Sequence, residues 1–391
     1  MSIARDISLS AVVAGFVTVL VGFTSTAVIV FQAANAVGAG PAEIASWMWA
    51  LGLGMGLTCI GLSLRYRMPV VTAWSTPGAA MLITGAAGAS LPEAIGAFMV
   101  SGLLIAVAGF SGWFERAINR IPISIASGML AGVLLRFGLE LFVVMKAQFL
   151  MVFAMFAVYL VMRRLSPRYA VICAFALGIA IAASQGLLHM QAVNLEFARP
   201  VWVTPAISIS TLIGVALPLF IVTMASQNAP GVAVIRAAGY PIPISPVIGW
   251  TGVANVIFAP FGAFAINLAA ITAAICMGRE AHEDTRRRYM ASVSAGFFYI
   301  LIGLFGATVG ALFAAFPREL VAAIAGLALI GTIGNGLAAA LSNEREREPA
   351  LITFLVAASG VTLFGIGSAF WGLIAGSLTL LLLRARTGTK Q

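Results

Sequence analysis

Long apolar runs separated by short polar breaks occupy the whole chain. Because the hydrocarbon core of a bilayer is about 30 Å thick, a helix needs roughly 20 mostly apolar residues to cross it. Divided at the polar breaks, the pattern predicts an all-α polytopic membrane protein with fourteen spans and no soluble domain. The approximate bounds of these spans are 10–35, 44–63, 69–87, 92–113, 121–143, 147–162, 169–188, 207–236, 245–259, 261–277, 289–315, 319–340, 350–366 and 368–384.

Composition agrees with a membrane protein and limits the kinds of partner that we expect. Of the 391 residues, 61% are hydrophobic and 9% are charged, whereas about a quarter of the residues of a soluble domain are charged. The net charge of +9 does not indicate a nucleic-acid partner, because the basic residues lie in short clusters between apolar runs. They form no basic face or arm that could follow a phosphate backbone. We therefore expect the lipid bilayer, and no nucleic acid, around this chain.

The basic clusters predict the orientation of the chain. If the N-terminus is cytoplasmic, eighteen of the 22 Lys and Arg residues fall on the cytoplasmic side. Lys146, Arg199 and Arg318 fall outside, and Arg136 lies within a span. Since cytoplasmic loops carry an excess of Lys and Arg, this distribution predicts that both termini are cytoplasmic.

Two weak internal matches predict an inverted repeat. The run "TSTAVIVFQAA" (24–34) shares four identical positions with "NAPGVAVIRAA" (228–238). A second alignment sets "PVVTAWSTPGA" (69–79) against "PFGAFAINLAA" (260–270) and pairs Thr76 with Asn267. Together they predict two units of seven spans, and an odd number of crossings turns the second unit upside down. Such 7+7 inverted repeats are typical of secondary transporters.

The third and tenth spans are predicted to be discontinuous, because each begins with an extended-looking stretch and continues with helix-compatible residues. In the third span, Ser75 and Thr76 precede the helix, with Thr76 predicted as its cap and Pro77 in its first position. In the tenth, Asn267 is the predicted cap. Helix N-termini attract anions, and extended backbone at membrane depth is tolerated where it lines a cavity. A binding site for an anionic substrate is therefore predicted between these spans.

The eighth span carries the polar run "SQN" ahead of Pro230 and Gly231. Gln227 and Asn228 are predicted to supply side-chain amides beside the two half-helices, while Pro230 loosens the helix next to them. The alternative is that these amides only bond to a neighbouring helix, as polar side chains in membrane helices often do.

Three aromatic residues, Trp74, Phe261 and Phe264, flank the predicted breaks. Trp74 and Phe264 could stack on a flat aromatic ligand. Aromatic side chains in membrane proteins more often pack against lipid or other helices, so both interpretations stay open.

Glu140 lies inside the fifth predicted span, four residues after Arg136. An ionisable group within a membrane span is a functional candidate, so Glu140 is predicted to take part in proton coupling. The spacing also places Arg136 and Glu140 on one helical face, where a structural ion pair near the interface is the alternative.

Enzyme functions find no support in the motifs. The chain has no Walker glycine–lysine motif and no zinc-ligand spacing, and its two histidines fall in loops on opposite sides of the predicted membrane. Its three cysteines are isolated in or beside apolar spans. We therefore predict that the protein is not an enzyme and needs no metal or cofactor.

Three runs resemble a known family. "TMASQNAPGVAVIRAAGY" (223–240), "VTAWSTPGAA" (71–80) and "FGAFAINLAAITAAI" (261–275) are closely similar to the benzoate:proton symporters of bacterial inner membranes. The resemblance implies the 7+7 fold shared with nucleobase and sulfate/anion transporters. It implies a core domain at about 10–113 and 207–315 and a gate domain at about 121–188 and 317–386. By position it also implies a substrate site at Ser75, Thr76, Gln227, Asn228 and Asn267.

Three functions are compatible with these features. The first is proton-coupled uptake of benzoate or a similar aromatic carboxylate, by an elevator-like motion of core against gate. The second is a channel or uncoupled facilitator for small anions. The third, a nucleobase carrier, is weakened because nucleobase relatives carry acidic residues on the eighth and tenth spans, and this chain has none there. Whether the protein forms a homo-oligomer stays open.

Overall fold

The described residues form helices and one small two-stranded sheet. The computed structural model describes residues 6–86, 89–118, 122–188, 197–306, 316–361, 363 and 368–387. The strands are β1 (Thr72–Trp74) and β2 (Ile266–Leu268). The helices are α1 (Leu9–Ala36), α2 (Pro41–Tyr66), α3 (Thr76–Gly85), α4 (Leu91–Phe110), α5 (Trp113–Ile118), α6 (Ile123–Val143), α7 (Phe149–Leu165), α8 (Ala170–Ser184), α9 (Ile209–Ala237), α10 (Ile244–Phe258), α11 (Ile271–Met277), α12 (Tyr289–Leu304), α13 (Arg318–Leu341), α14 (Arg347–Ser359) and α15 (Ser368–Thr387).

The helical membrane-type fold predicted from the apolar runs is confirmed. Among the described residues, six segments are long and apolar enough to cross a membrane as single helices. These are Pro41–Tyr66, Leu91–Phe110, Ile123–Lys146, Ile209–Ala237, Ile244–Phe261 and Arg318–Leu341. Each of the fourteen predicted ranges overlaps a described helix, and the third and tenth also contain a strand. Residues 87, 121, 307–315, 362 and 364–366 of the predicted spans lie outside the described residues, and the count of fourteen crossings stays a prediction.

The long helix α9 widens at two places, each just before a proline. Leu212–Ala216 and Met224–Asn228 are π-helical turns, followed by Pro218 and Pro230 respectively. Proline has no N–H to donate to the carbonyl four residues earlier, and a wider turn relieves the clash of its ring with that carbonyl. The second π turn contains the "SQN" run, so the loosening predicted from Pro230 falls on the polar residues themselves.

Most close helix pairs fall within two groups that share a packing device, and α9 and α6 also pack together across the groups. In the first group, α2 packs on α12 so tightly that a Cβ at Gly52 would lie 2.5 Å from the Cα of Gly303. In the second group, a Cβ at Gly128 of α6 would lie 2.5 Å from the carbonyl oxygen of Ala350 on α14. Small residues allow such approach, which supplies the van der Waals contact that holds membrane helices together. The first group comprises α1–α4 and α9–α12, and the second comprises α6–α8 and α13–α15.

Candidate functional site

The two extended stretches predicted in the third and tenth spans pair with each other. β1 and β2 form an antiparallel ribbon, with Ala73 opposite Asn267 at its centre. Its ladder continues at one end through Ser75 N–H to the Ala265 carbonyl, at 3.1 Å. At the other end, Ala269 N–H donates to the Val71 carbonyl at 2.9 Å. The extended backbone in each segment is thus satisfied by the other segment, although nearly half the chain separates them.

The outer edge of β2 is closed by two asparagine side chains. The Asn255 amide of α10 accepts from Ile266 N–H at 2.5 Å and donates to the Ile266 carbonyl at 2.8 Å. The Asn228 Oδ1 of α9 accepts from Leu268 N–H at 3.0 Å. A strand edge inside a membrane protein has no bulk water to bond with, so each free backbone group would cost several kcal/mol. The two amides replace a third strand.

The outer edge of β1 is supported by α2. Thr72 N–H donates to the Cys59 sulfur at 3.1 Å, and the Thr72 hydroxyl lies 2.6 Å from that of Thr58 and 3.0 Å from the Met55 carbonyl. All of these groups are buried. The ribbon is therefore held on both edges by helices of the first group.

The cap of α3 is Ser75, and the prediction of Thr76 is wrong by one residue. The Ser75 Oγ accepts from Gly78 N–H at 3.0 Å, while Thr76 and Pro77 occupy the first two helical positions. Because Ser75 still belongs to the β ladder through its N–H, it has the extended backbone that a cap requires. The hydroxyl hydrogen of Ser75 has no acceptor among the described residues.

Asn267 does not cap the second half-helix. Its backbone pairs with Ala73 inside β2, and α11 begins at Ile271, four residues later, with Ala270 as a cap that offers no side-chain bond. The strand pairing holds Asn267 extended, which is why the helix cannot begin there. The alignment of Thr76 with Asn267 therefore pairs different elements: Thr76 begins α3, whereas Asn267 lies within β2 and α11 begins at Ile271.

The Asn267 side chain is buried with one unsatisfied atom. Its Nδ2 donates to the Ala265 carbonyl at 2.6 Å, and its Oδ1 has no donor among the described residues. Side chains alternate along a strand, so Asn267 shares a face with Ala265 and, across the ladder, with Ala73 and Ser75. On this face, which we call the Ala73 face, Ala73 is partly exposed while its chain neighbours Thr72 and Trp74 are buried. Ala265 has a positive φ of 45°, an unusual backbone for alanine that marks a constrained site.

The two amide side chains of the eighth span, Asn228 and Gln227, differ in their hydrogen bonding. Asn228 is fully buried, and its Nδ2 points at the Met224 sulfur at 3.2 Å. A thioether is a weak acceptor, so this N–H group keeps most of its capacity to donate. Gln227 is half-buried, and its side chain has no hydrogen bond within the described part of the chain. Of the two, Asn228 is tied to β2 through its oxygen.

Trp74 and Phe264 pack inside the protein in this structure. The Trp74 Nε1 donates to Thr26 at 2.9 Å, and its ring packs edge-on against Phe23 of α1. Phe264 is fully buried against Trp47 and Phe98. By strand alternation the Trp74 ring lies opposite the Ala73 face, because Trp74 follows Ala73 within β1.

Glu140 is half-buried on α6, in the second helix group. The ion pair with Arg136 that its spacing allows is not formed: within the described residues no such contact lies inside 4.0 Å. Arg136 is instead exposed and directs its guanidinium to the turn at Gly360, where an added Cβ would lie 3.1 Å from its Nη1. Glu140 therefore stands apart from the ribbon and without its expected partner.

Sequence reasoning missed an ion pair that joins the two helix groups. Glu280, three residues after α11, is buried and bonds to Arg163 at the end of α7. The other three ion pairs among the described residues join Asp6, Arg67, Asp284 and Arg287 within the first group. Glu280 follows an apolar run just as any loop residue does, so nothing in its local sequence indicates burial.

Comparison with known proteins gives strong matches over nearly the whole chain. Residues 5–382 match the family model BenE, described as benzoate membrane transport protein. The inner membrane protein YdcO of Escherichia coli K12 is 51% identical over 370 residues, covering 95% of both chains. A benzoate membrane transport protein of Acinetobacter baylyi is 40% identical over 382 residues, covering 98% of this chain and 97% of the relative. These relatives are named as membrane proteins and a transporter, which confirms the expectation of a transporter over an enzyme.

Solved structures give only distant similarities. SLC26A9 aligns with 94% of this chain and 67% of its own, at 12% identity and a TM-score of 0.48. The transmembrane domain of the cyanobacterial bicarbonate transporter BicA aligns with 94% of this chain and 97% of its own, at 13% identity and a TM-score of 0.47. At these scores neither similarity supports an argument about mechanism.

Proposed function

The chain belongs to the BenE family of benzoate membrane transport proteins, and on that premise we propose that it takes up benzoate or a similar aromatic carboxylate together with protons. It is a secondary transporter of the bacterial inner membrane, with both termini in the cytoplasm. The name of the inner-membrane relative YdcO and the distribution of Lys and Arg support this location and orientation.

The observation that carries the proposal is the Ala73 face of the ribbon. At this face Ser75 has a hydroxyl hydrogen to donate, and Thr76 adds the N–H of a helix start, which has no partner within its own helix. The Nδ2 of Asn228 and the free amide of Gln227 complete a set of neutral donors on the proposed substrate path. Neutral donors at a helix N-terminus suit the oxygens of a carboxyl group, whereas a nucleobase edge also needs several acceptors.

We further propose that transport follows alternating access on a 7+7 inverted repeat. The core is residues 10–113 and 207–315, and the gate is residues 121–188 and 317–386. Support comes from the helix contacts, which are most extensive inside each group, and from the antiparallel relation of β1 to β2, which two inverted units require. The Arg163–Glu280 pair links the two proposed domains, so an elevator-like motion of the core has to break it.

Uptake into proteoliposomes tests the function. We expect saturable entry of labelled benzoate, accelerated by an inward proton gradient and abolished by a protonophore. Substituted benzoates should compete, while uracil and sulfate should not. Entry that does not saturate, or that ignores the proton gradient, would identify the channel or uncoupled facilitator instead. Competition by uracil would point to the nucleobase carrier.

Cysteine labelling tests the orientation. A cysteine at Thr285, in an exposed part of the loop between α11 and α12, should react with a membrane-impermeant maleimide only after the cells are opened. A cysteine at Lys146, on the opposite side in the proposed topology, is the matched control and should be labelled in intact cells. The reverse pattern would overturn the orientation.

A further inference from the structure

The Ala73 face carries a hydrogen-bond donor, the Ser75 hydroxyl, and an acceptor of fixed orientation, the Asn267 Oδ1. Ser75 and Asn267 lie diagonally across the ribbon, because Ser75 pairs with Ala265 and Asn267 pairs with Ala73. Diagonal neighbours on an antiparallel pair are about 7–8 Å apart at Cα, and their side chains approach more closely. A carboxyl group between them can therefore bond to both at the usual distance of about 2.7 Å.

The Asn267 amide cannot exchange its oxygen for its nitrogen. The Ala265 carbonyl receives hydrogen bonds from both Ser75 N–H and Asn267 Nδ2. Turning the amide over would direct Oδ1 at this carbonyl oxygen, acceptor against acceptor, and would lose the bond. Asn267 therefore presents Oδ1, fully buried and without a donor, as a fixed acceptor. A buried acceptor without a donor costs free energy, which a ligand carrying a donor would recover.

Among the described elements that form or pack on the ribbon, none carries a cationic side chain near this face. Strands β1 and β2 and helices α1, α3, α10 and α11 contain no Lys, Arg, His, Asp or Glu. α2 and α9, which also pack on the ribbon, carry charged residues only near their ends, at Glu43, Arg65 and Arg236. The titratable groups nearest in these elements and in α12 are neutral: Cys59, Cys276 and Tyr299. An ionised carboxylate buried without a cation takes up a proton instead.

We infer that the ribbon binds its substrate as the neutral carboxylic acid, with the acid O–H donating to Asn267 Oδ1 and the acid carbonyl accepting from Ser75. This inference rests on the proposed function. One proton from solution joins each carboxylate on binding and leaves with it on release, so the substrate carries the coupled proton. No acidic side chain of the protein is needed for that step, which accounts for the absence of carboxylates from the eighth and tenth segments.

Calorimetry on the purified full-length protein tests the inference. Benzoate is titrated at one pH in two buffers of different ionisation enthalpy, which measures the number of protons taken up. We expect about one proton per benzoate near pH 7, where a carboxyl with a pKa of about 4 is ionised in solution. The affinity for benzoate should fall about tenfold for each pH unit above this pKa of about 4. Benzamide mimics the neutral acid, so it should compete with benzoate, take up no proton and bind equally well across pH 6–8.

The outcomes separate this inference from the proposed function. If benzoate binds without proton uptake, or if benzamide fails to compete, the neutral-acid inference is overturned, but the proposed transport function still stands. The absence of any benzoate binding would instead overturn the proposed function. Asn267→Ala should weaken benzoate and benzamide alike by roughly tenfold, whereas Asn343→Ala, at an exposed loop position, should change neither. Because the decisive measurements use the wild-type protein, they stand even if Asn267→Ala does not fold.

Discussion

The third and tenth segments share one design, a strand followed by a half-helix, but they are supported in different ways. β1 runs directly into α3, a helix of 10 residues capped by Ser75. β2 is followed by α11, a helix of 7 residues that no side chain caps. The outer edge of β2 depends on Asn255 and Asn228, two amides from other helices. Around the second segment, polar side chains bond to the strand backbone. In the first segment, Ser75 accepts a hydrogen bond as the cap and still has its hydroxyl hydrogen to donate to a ligand.

Removing the support of β2 should have the largest effect. Asn255→Ala leaves both the N–H and the carbonyl of Ile266 without partners in a site that is 1% exposed. Since each unsatisfied buried group costs about 1–3 kcal/mol, we expect the free energy of unfolding to fall by roughly 3 kcal/mol. Thermal denaturation in detergent measures the loss. Asn343→Ala is the control, and equal stability of the two variants would show that β2 does not need its asparagine.

Asn228→Ala should affect both support and binding. The substitution removes the acceptor of Leu268 N–H and the Nδ2 that points at Met224. A donor to a carboxyl group contributes about 1.5–3 kcal/mol when the ligand is charged and about half of that when it is neutral. For the neutral acid we therefore expect benzoate affinity to fall by roughly three- to tenfold while the protein remains folded, whereas a loss of ten- to a hundredfold would indicate a bound carboxylate. Unchanged affinity in a variant of lowered stability would assign Asn228 to the support of β2 alone.

Ser75→Ala tests the first segment, where one hydroxyl group both caps α3 and is proposed to donate to the ligand. Loss of an N-cap costs about 1 kcal/mol of stability, and loss of the donor should weaken benzoate binding about tenfold. Ser75→Thr retains both functions and should restore most of the affinity. Ser342→Ala, at an exposed position, is the control for stability. If Ser75→Ala lowers stability but binds benzoate normally, the donor is elsewhere.

The smallest effect on binding is expected at Glu140, which lies in the other helix group. Glu140→Gln should leave benzoate affinity nearly unchanged, and because the inferred coupled proton travels with the substrate, a proton gradient should still accelerate uptake. Uptake with and without an imposed inward proton gradient measures this. Acceleration by the gradient as strong as in the wild type would exclude Glu140 from coupling and favour a proton carried by the substrate. A large loss of affinity would contradict the separation of the two helix groups.

Local features of the chain were sufficient to predict its helices and the place of its breaks. The run of apolar residues predicts α1 at 10–35, against Leu9–Ala36 in the structure, and α9 at 207–236, against Ile209–Ala237. Pro230 predicts the loosened turn at "SQN", because a missing N–H acts within four residues. Such properties depend on near neighbours, which the sequence displays directly.

Partnership across the fold was beyond these local patterns. That Asn267 is a strand residue rather than a cap follows from Ala73, and that Asn255 and Asn228 close an edge follows from where β2 lies. The burial of Glu280 likewise follows from the position of Arg163 on α7. The residues next to an Asn or Glu in the sequence do not show whether its side chain bonds to a ligand, a strand or a guanidinium. Only packing decides which partner reaches it, because a buried polar group must take whichever partner the neighbouring segments bring within hydrogen-bond distance.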